Sequence, residues 1–133
     1  MRLLLDTHAL LWSLMQPEKL SMSAHEALTR PDNQVFVSAI SFWEIALKTA
    51  IGKMHLQGAT PETLVDAALS QGFDLLPLEP RIAAGFANLP RTPEHRDPFD
   101  RMLMWQALSC RLTLVSRDRK IGIQAPEGLS LLW

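Results

Sequence analysis

Arg2-Leu3-Leu4-Leu5-Asp6-Thr7-His8-Ala9-Leu10-Leu11-Trp12 sets the fold of this chain. Three consecutive leucines with no alternating polar residue suit a strand covered on both faces, the signature of a parallel sheet. At Asp6 the run stops, and from Thr7 apolar residues recur at helical spacing (Ala9, Leu10, Leu11, Leu14) until Pro17 ends the pattern. A buried strand that passes through an aspartate directly into a helix is the first half of a strand–helix–strand unit.

The same alternation continues along the chain. An amphipathic helix is expected over about 23–29, ending before the turn cluster Arg30-Pro31-Asp32-Asn33, and Val35-Phe36-Val37 reads as a second buried strand. A helix follows from Ser38 to about Met54, with Gly52 at its fraying end. Pro61-Glu62 opens another, stopped by Gly72; Asp74-Leu75-Leu76 is a strand, and Ile82 to Ala87 a short helix. Pro90 to Arg96 forms a polar loop, Pro98 starts a helix to about Cys110, Thr113-Leu114-Val115 is a strand, and Leu129-Ser130-Leu131 closes the sheet. These elements predict an α/β fold in three layers, with a central, mostly parallel, twisted sheet flanked by helices. One domain over residues 1–133 is expected at this length.

The bulk composition narrows the function classes. At 47% apolar and 20% charged residues, with no low-complexity stretch or internal repeat, the chain is an ordinary globular one. Asp6 and His8 interrupt the N-terminal apolar run too early for a signal peptide, no segment is long enough to span a bilayer, and the single cysteine, Cys110, suits a reducing compartment. A cytoplasmic protein without membrane contact is expected, with Cys110 as a buried thiol. The net charge of −1 gives no global basic field. Its distribution is uneven: residues 1–90 carry 6 basic and 9 acidic side chains, whereas residues 91–133 carry 7 and 5. The basic excess in the second segment is compatible with a surface that follows phosphates.

Four acids fall where a parallel sheet gathers its ligands, beyond the carboxyl ends of its strands and on the first turns of its helices: Asp6, Glu44, Asp100 and Asp118. Each has a plain structural alternative. Asp6 is also a favoured helix N-cap. Glu44 fits a capping box with Ser41 and stands four residues before Lys48, although Ser38 is an equally good N-cap. In Asp97-Pro98-Phe99-Asp100-Arg101, Asp97 reads as the N-cap, Pro98 as the first helical residue and Asp100 as the third. Asp118, among Arg117, Arg119 and Lys120, also fits a solvated polar turn. Carboxylates crowded together raise one another's pKa, and a hard divalent cation is the natural compensation. Thr7 and Ser116 stand beside two of the acids, His8 and His95 are candidates to contact phosphate near the site, and Trp12, Trp43 and Trp105 fall in apolar helical patterns that suit core or subunit-interface packing more than base stacking.

Taken in order, Leu4-Leu5-Asp6-Thr7-His8-Ala9-Leu10-Leu11-Trp12, Ser41-Phe42-Trp43-Glu44-Ile45-Ala46-Leu47-Lys48, His95-Arg96-Asp97-Pro98-Phe99-Asp100-Arg101-Met102-Leu103 and Leu114-Val115-Ser116-Arg117-Asp118 closely resemble the PIN-domain family. The likeness is in particular to the VapC-type ribonuclease toxins of prokaryotic type II toxin–antitoxin systems, and it runs nearly end to end. It implies a metal-dependent ribonuclease in which Asp6, Glu44, Asp100 and Asp118 are both the catalytic acids and the ligands of one or two Mg²⁺ or Mn²⁺ ions. Thr7, Asp97, Arg101 and Ser116 support them. The resemblance further implies an RNA substrate, with tRNA and rRNA among the candidates, a homodimer, and a cognate antitoxin that blocks the site. The rival reading is a non-catalytic module of the same fold that binds metal or RNA. One departure from the family pattern is that Ile121 and Ile123 stand where aromatic residues are common after the fourth acid, so a differently shaped final turn is expected.

Overall fold

Five parallel strands form one sheet in the computed structural model, which describes residues 1–91, 93 and 97–133, the side chains of 122–124 excepted. The strands are β1 (Arg2–Leu5), β2 (Gln34–Ser38), β3 (Asp74–Leu76), β4 (Thr113–Val115) and β5 (Ser130–Leu132). Their order in the sheet is β3-β2-β1-β4-β5, and every pairing is parallel. Among the described residues seven α-helices connect them: α1 (Thr7–Met15), α2 (Met22–Thr29), α3 (Ala39–Ala50), α4 (Pro61–Ser70), α5 (Pro80–Gly85), α6 (Pro98–Cys110) and α7 (Arg119–Gln124). Among the described residues none of these helices is long and apolar enough to cross a membrane.

The leucine run divides between two cores as period-2 geometry requires. Leu3 and Leu5 enter one core with Ala9, Leu10, Val37, Ile45 and Leu64, while Leu4 enters the other with Leu103, Met104, Ala107 and Leu114. All three leucines are fully buried. Leu4→Ala is therefore expected to destabilise the protein by about 2–5 kcal/mol through lost transfer energy and a residual cavity. Chemical denaturation measures this, and a loss below 1 kcal/mol would mean that the strand is not central.

Several boundaries differ from the sequence reading, each for a local reason. The third helix ends at Ala50 rather than near Met54, because Gly52 adopts a left-handed φ of +77° and the Lys53 and Met54 amides turn back onto the Lys48 carbonyl. Ser38, not Ser41, caps this helix by accepting from the Ile40 amide, so no capping box involves Glu44. The fifth helix begins at Pro80, where proline's fixed φ suits a first turn, and continues as a 3₁₀ turn over Phe86–Asn88. The last strand lies one residue later than expected, at Ser130–Leu132. The turn expected around Asp118 is instead the N-cap of α7, which buries Ile121 in the second core. Cys110 is half-buried rather than buried.

Candidate metal and catalytic site

The sheet reverses its winding direction between β1 and β4, since the chain moves outward through β2 and β3 on one side and through β5 on the other. In open parallel sheets the crevice beyond the strand ends at such a switch point is where ligands bind. Asp6 immediately follows β1, and its amide donates to the Val115 carbonyl at the end of β4 at 3.0 Å. Ser116 and Asp118 follow β4. Two of the four acids thus stand at the switch point because of the sheet topology itself.

Asp6 is 4% exposed. One of its oxygens accepts from the Ala9 amide at 2.7 Å, so it caps α1. Burial raises the pKa of its carboxyl; hydrogen bonds from Ser116 and the Ala9 amide and the nearby His8 oppose that rise, and the Asp118 charge adds to it. The cap and the functional position coexist in one residue. Asp118 is half-buried, caps α7 by accepting from the Lys120 amide at 2.8 Å, and donates its own amide to Ser116 Oγ at 3.1 Å. Ser116 thereby links the first and fourth acids.

Glu44 reaches the crevice from the sixth position of α3 and is 3% exposed. Both of its oxygens are engaged: Oε1 accepts from the Thr7 hydroxyl at 2.6 Å, and Oε2 accepts from the Lys48 ammonium. Thr7, itself buried, also lies 3.2 Å from Ser41 Oγ. The buried face of α3 mixes Ser41 and Glu44 with Ile40 and Ile45, while Trp43 and Leu47, and Ile51 just past the helix end, are exposed.

Asp97 caps α6, accepting from the Phe99 and Asp100 amides at 2.9 and 3.1 Å. Asp100 then stands in the first turn, as read from the sequence. Burial together with the charges of Asp97, Asp6, Glu44 and Asp118 pushes its carboxyl up to about 7. Four other acids therefore act on this one group, Asp97 at the start of the same helix and Asp6, Glu44 and Asp118 from other elements. Arg101 contributes differently: its guanidinium donates to the Pro90 carbonyl at 3.1 Å and lies over the Phe86 ring, tying α6 to the segment before it. His95 and Arg96 lie outside the described residues.

The aromatic residues divide in a way the sequence did not reveal. Trp12 and Trp133 pack at 5.7 Å, with the Arg117 guanidinium over Trp12, and Trp105 donates its indole N–H to the Ile82 carbonyl at 2.7 Å. Trp43 is 60% exposed and meets the Phe99 ring edge-on, so packing in the core does not describe it. Lys48 was legible only as a helical partner of Glu44, and the spacing gave no hint that it stands at the acid cluster. Gln106, fully buried and bonded to Ser38 and the Pro77 carbonyl, was missed altogether, because an amide inside an apolar helical pattern carries no distinguishing signal.

The donors are carboxylate and hydroxyl oxygens, the set preferred by a hard divalent cation. Their mutual charge, read at Asp100, is what such a cation would neutralise. Among the described residues no three His, Cys, Asp or Glu side chains are already drawn together as a metal-binding group. The acids are within electrostatic reach of one another but not closed onto one point. The site fits a cation in charge and donor type.

A parallel α/β domain with acids from four elements gathered at its switch point belongs to a class whose chemistry lies at the strand ends. The sequence matches the PIN domain over residues 3–124, and the chain belongs to the PIN-domain family. It is 30% identical over 118 residues to ribonuclease VapC22 from Mycobacterium tuberculosis, covering 89% of this chain and 88% of that protein. The fold matches a chain of VapBC2 from Rickettsia felis bound to a DNA fragment from their promoter, with TM-score 0.72, 18% identity and coverage of 99% and 98% of the two chains. It also matches a chain of DNA-bound VapBC from Salmonella typhimurium, with TM-score 0.67, 18% identity and coverage of 99% and 97%.

Proposed function

We propose that this protein is a ribonuclease of the VapC type, the toxin of a toxin–antitoxin pair, acting as one domain in the cytoplasm with Mg²⁺ or Mn²⁺. The observation that carries the reading is that Asp6 and Ser116 follow directly on neighbouring strands β1 and β4, with Asp118 joined to Ser116, at a rim where the charges of Glu44, Asp97 and Asp100 act on one another. Kinship with a VapC ribonuclease over most of both chains supports the substrate class.

Asp6, Asp100 and Asp118, with Glu44, would hold one or two ions. A bound ion supplies a water nucleophile near neutral pH and charge to stabilise the phosphate oxygens. The residues of the chain provide the rest. The Ala9 amide and Ser116 hold Asp6, the Thr7 hydroxyl and Lys48 hold Glu44, and Asp97 fixes the first turn of α6 and so the place of Asp100. Each acid meets the crevice already oriented, which is what a hydrolytic site needs before substrate arrives.

A homodimer and a cognate antitoxin belong to the same proposal. The exposed apolar stripe of Trp43 and Leu47 on α3, continued by Ile51 just past its end, supports a protein partner. Induced expression in a bacterial host is expected to arrest growth and to produce discrete RNA fragments, and the Asp6→Asn protein to do neither. Arrest by the Asp6→Asn protein at equal expression would point instead to a binding module.

A further inference from the structure

Lys48 lies one helical turn after Glu44, with its ammonium bonded to Glu44 Oε2 and 5.9 Å from the centroid of the Phe99 ring. Lys48–Glu44 is the one ion pair between described residues, and the Thr7 hydroxyl engages the opposite oxygen of the same carboxylate. The ammonium thus stands between α3, which carries Glu44, and the first turn of α6, which carries Phe99 and Asp100.

We propose that Lys48 is the built-in counter-cation of the acid cluster: it holds Glu44 while the pocket is free of metal and competes with an incoming divalent cation for that carboxylate. This inference rests on reading the cluster as a metal site. Its physical content is simple. Negative charge buried at the crevice must be balanced for the protein to fold, and a tethered ammonium balances part of it at all times. The same positive charge opposes a divalent ion arriving at the same oxygens. Lys48 is thus a positioning residue with a cost in metal affinity, a role that a purely structural ion pair would not have.

Lys48→Met keeps most of the side-chain length as an apolar stem while removing the charge. Titrated with Mn²⁺ by calorimetry, this variant is expected to bind at least about tenfold more tightly than wild type, the size of a nearby unit charge partly screened by solvent. Lys48→Arg, which keeps the charge, is expected to stay near the wild-type affinity. Should Lys48→Met fail to fold, Lys48→Gln serves in its place. Unchanged or weaker Mn²⁺ binding by the folded neutral variant would overturn the proposal and leave Lys48 as a structural partner of Glu44. No binding by either protein would overturn it together with the metal site itself. Binding is read without RNA, so a failure of the ribonuclease reading alone, with Mn²⁺ binding intact, would be seen separately as absent cleavage.

Discussion

Asp6→Asn is expected to reduce RNA cleavage by about a thousandfold or more, equivalent to about 4 kcal/mol of lost transition-state stabilisation, while leaving the fold intact. Asparagine is nearly isosteric, and its side-chain oxygen can still accept from the Ala9 amide, so the cap of α1 survives. The charge is what disappears. Burial already disfavours that charge in the absence of metal, so its removal should leave the metal-free melting temperature unchanged or raised. Loss of activity with retained or increased stability is the pattern of a residue kept for chemistry, and thermal melts beside single-turnover cleavage measure both halves. A fully active Asp6→Asn protein would remove the first acid from the mechanism.

Asp100 carries the second large effect, on pH dependence. Its carboxyl is raised from an ordinary value of 3.8 to about 7, so across this window the folded protein holds a proton that the unfolded chain has released. Stability from this group is therefore fully present below about pH 4 and lost as pH rises through about 7. The full shift corresponds to about 4 kcal/mol, reduced to about 1–2 kcal/mol because part of the group is in water. In EDTA, the melting temperature is expected to fall by about 3–8 °C between pH 5 and pH 8. Asp100→Asn should flatten that fall, and Mg²⁺ or Mn²⁺ should reverse it at pH 8. Cleavage runs the opposite way, rising with pH through about 7 as Asp100 becomes able to hold a cation. A metal-free stability that Asp100→Asn leaves equally pH-dependent would place the titrating group elsewhere.

The parts of the fold legible in the sequence were those with two independent signals. β1 has an apolar run and a terminating acid, α6 has Asp97 and Pro98 at its start, and α4 has Pro61 at one end and Gly72, with φ +83°, at the other. Elements with a single weak signal were displaced or missed. Ile51 and Met54 prolong the apolar period of α3 past its real end. The six-residue α7 is too short for a helical repeat and carries Gly122, and β5 slid by one residue because Leu129, Leu131 and Leu132 are all apolar.

The acids could be located because topology brings strand ends and first turns to one rim. Their partners could not, because side-chain contacts depend on helix rotation. That rotation turns Glu44 inward, leaves Trp43 exposed, directs Arg101 to the Pro90 carbonyl and brings Lys48 to the cluster. The buried face of α3 carries Ser41 and Glu44 between Ile40 and Ile45, and its exposed face carries Trp43 and Leu47 and leads to Ile51 just past the helix end. A helix apolar on two sides gives hydrophobic periodicity no means of choosing between them.

Cleavage of total cellular RNA by the purified protein, freed of any bound antitoxin, tests the central claim most directly. The reaction is run with Mg²⁺, with Mn²⁺ and with EDTA, beside the Asp6→Asn protein. Discrete fragments that appear with either ion, vanish in EDTA and are absent with Asp6→Asn are the expected result. Cleavage that persists in EDTA, or that Asp6→Asn performs as well as wild type, would contradict the account.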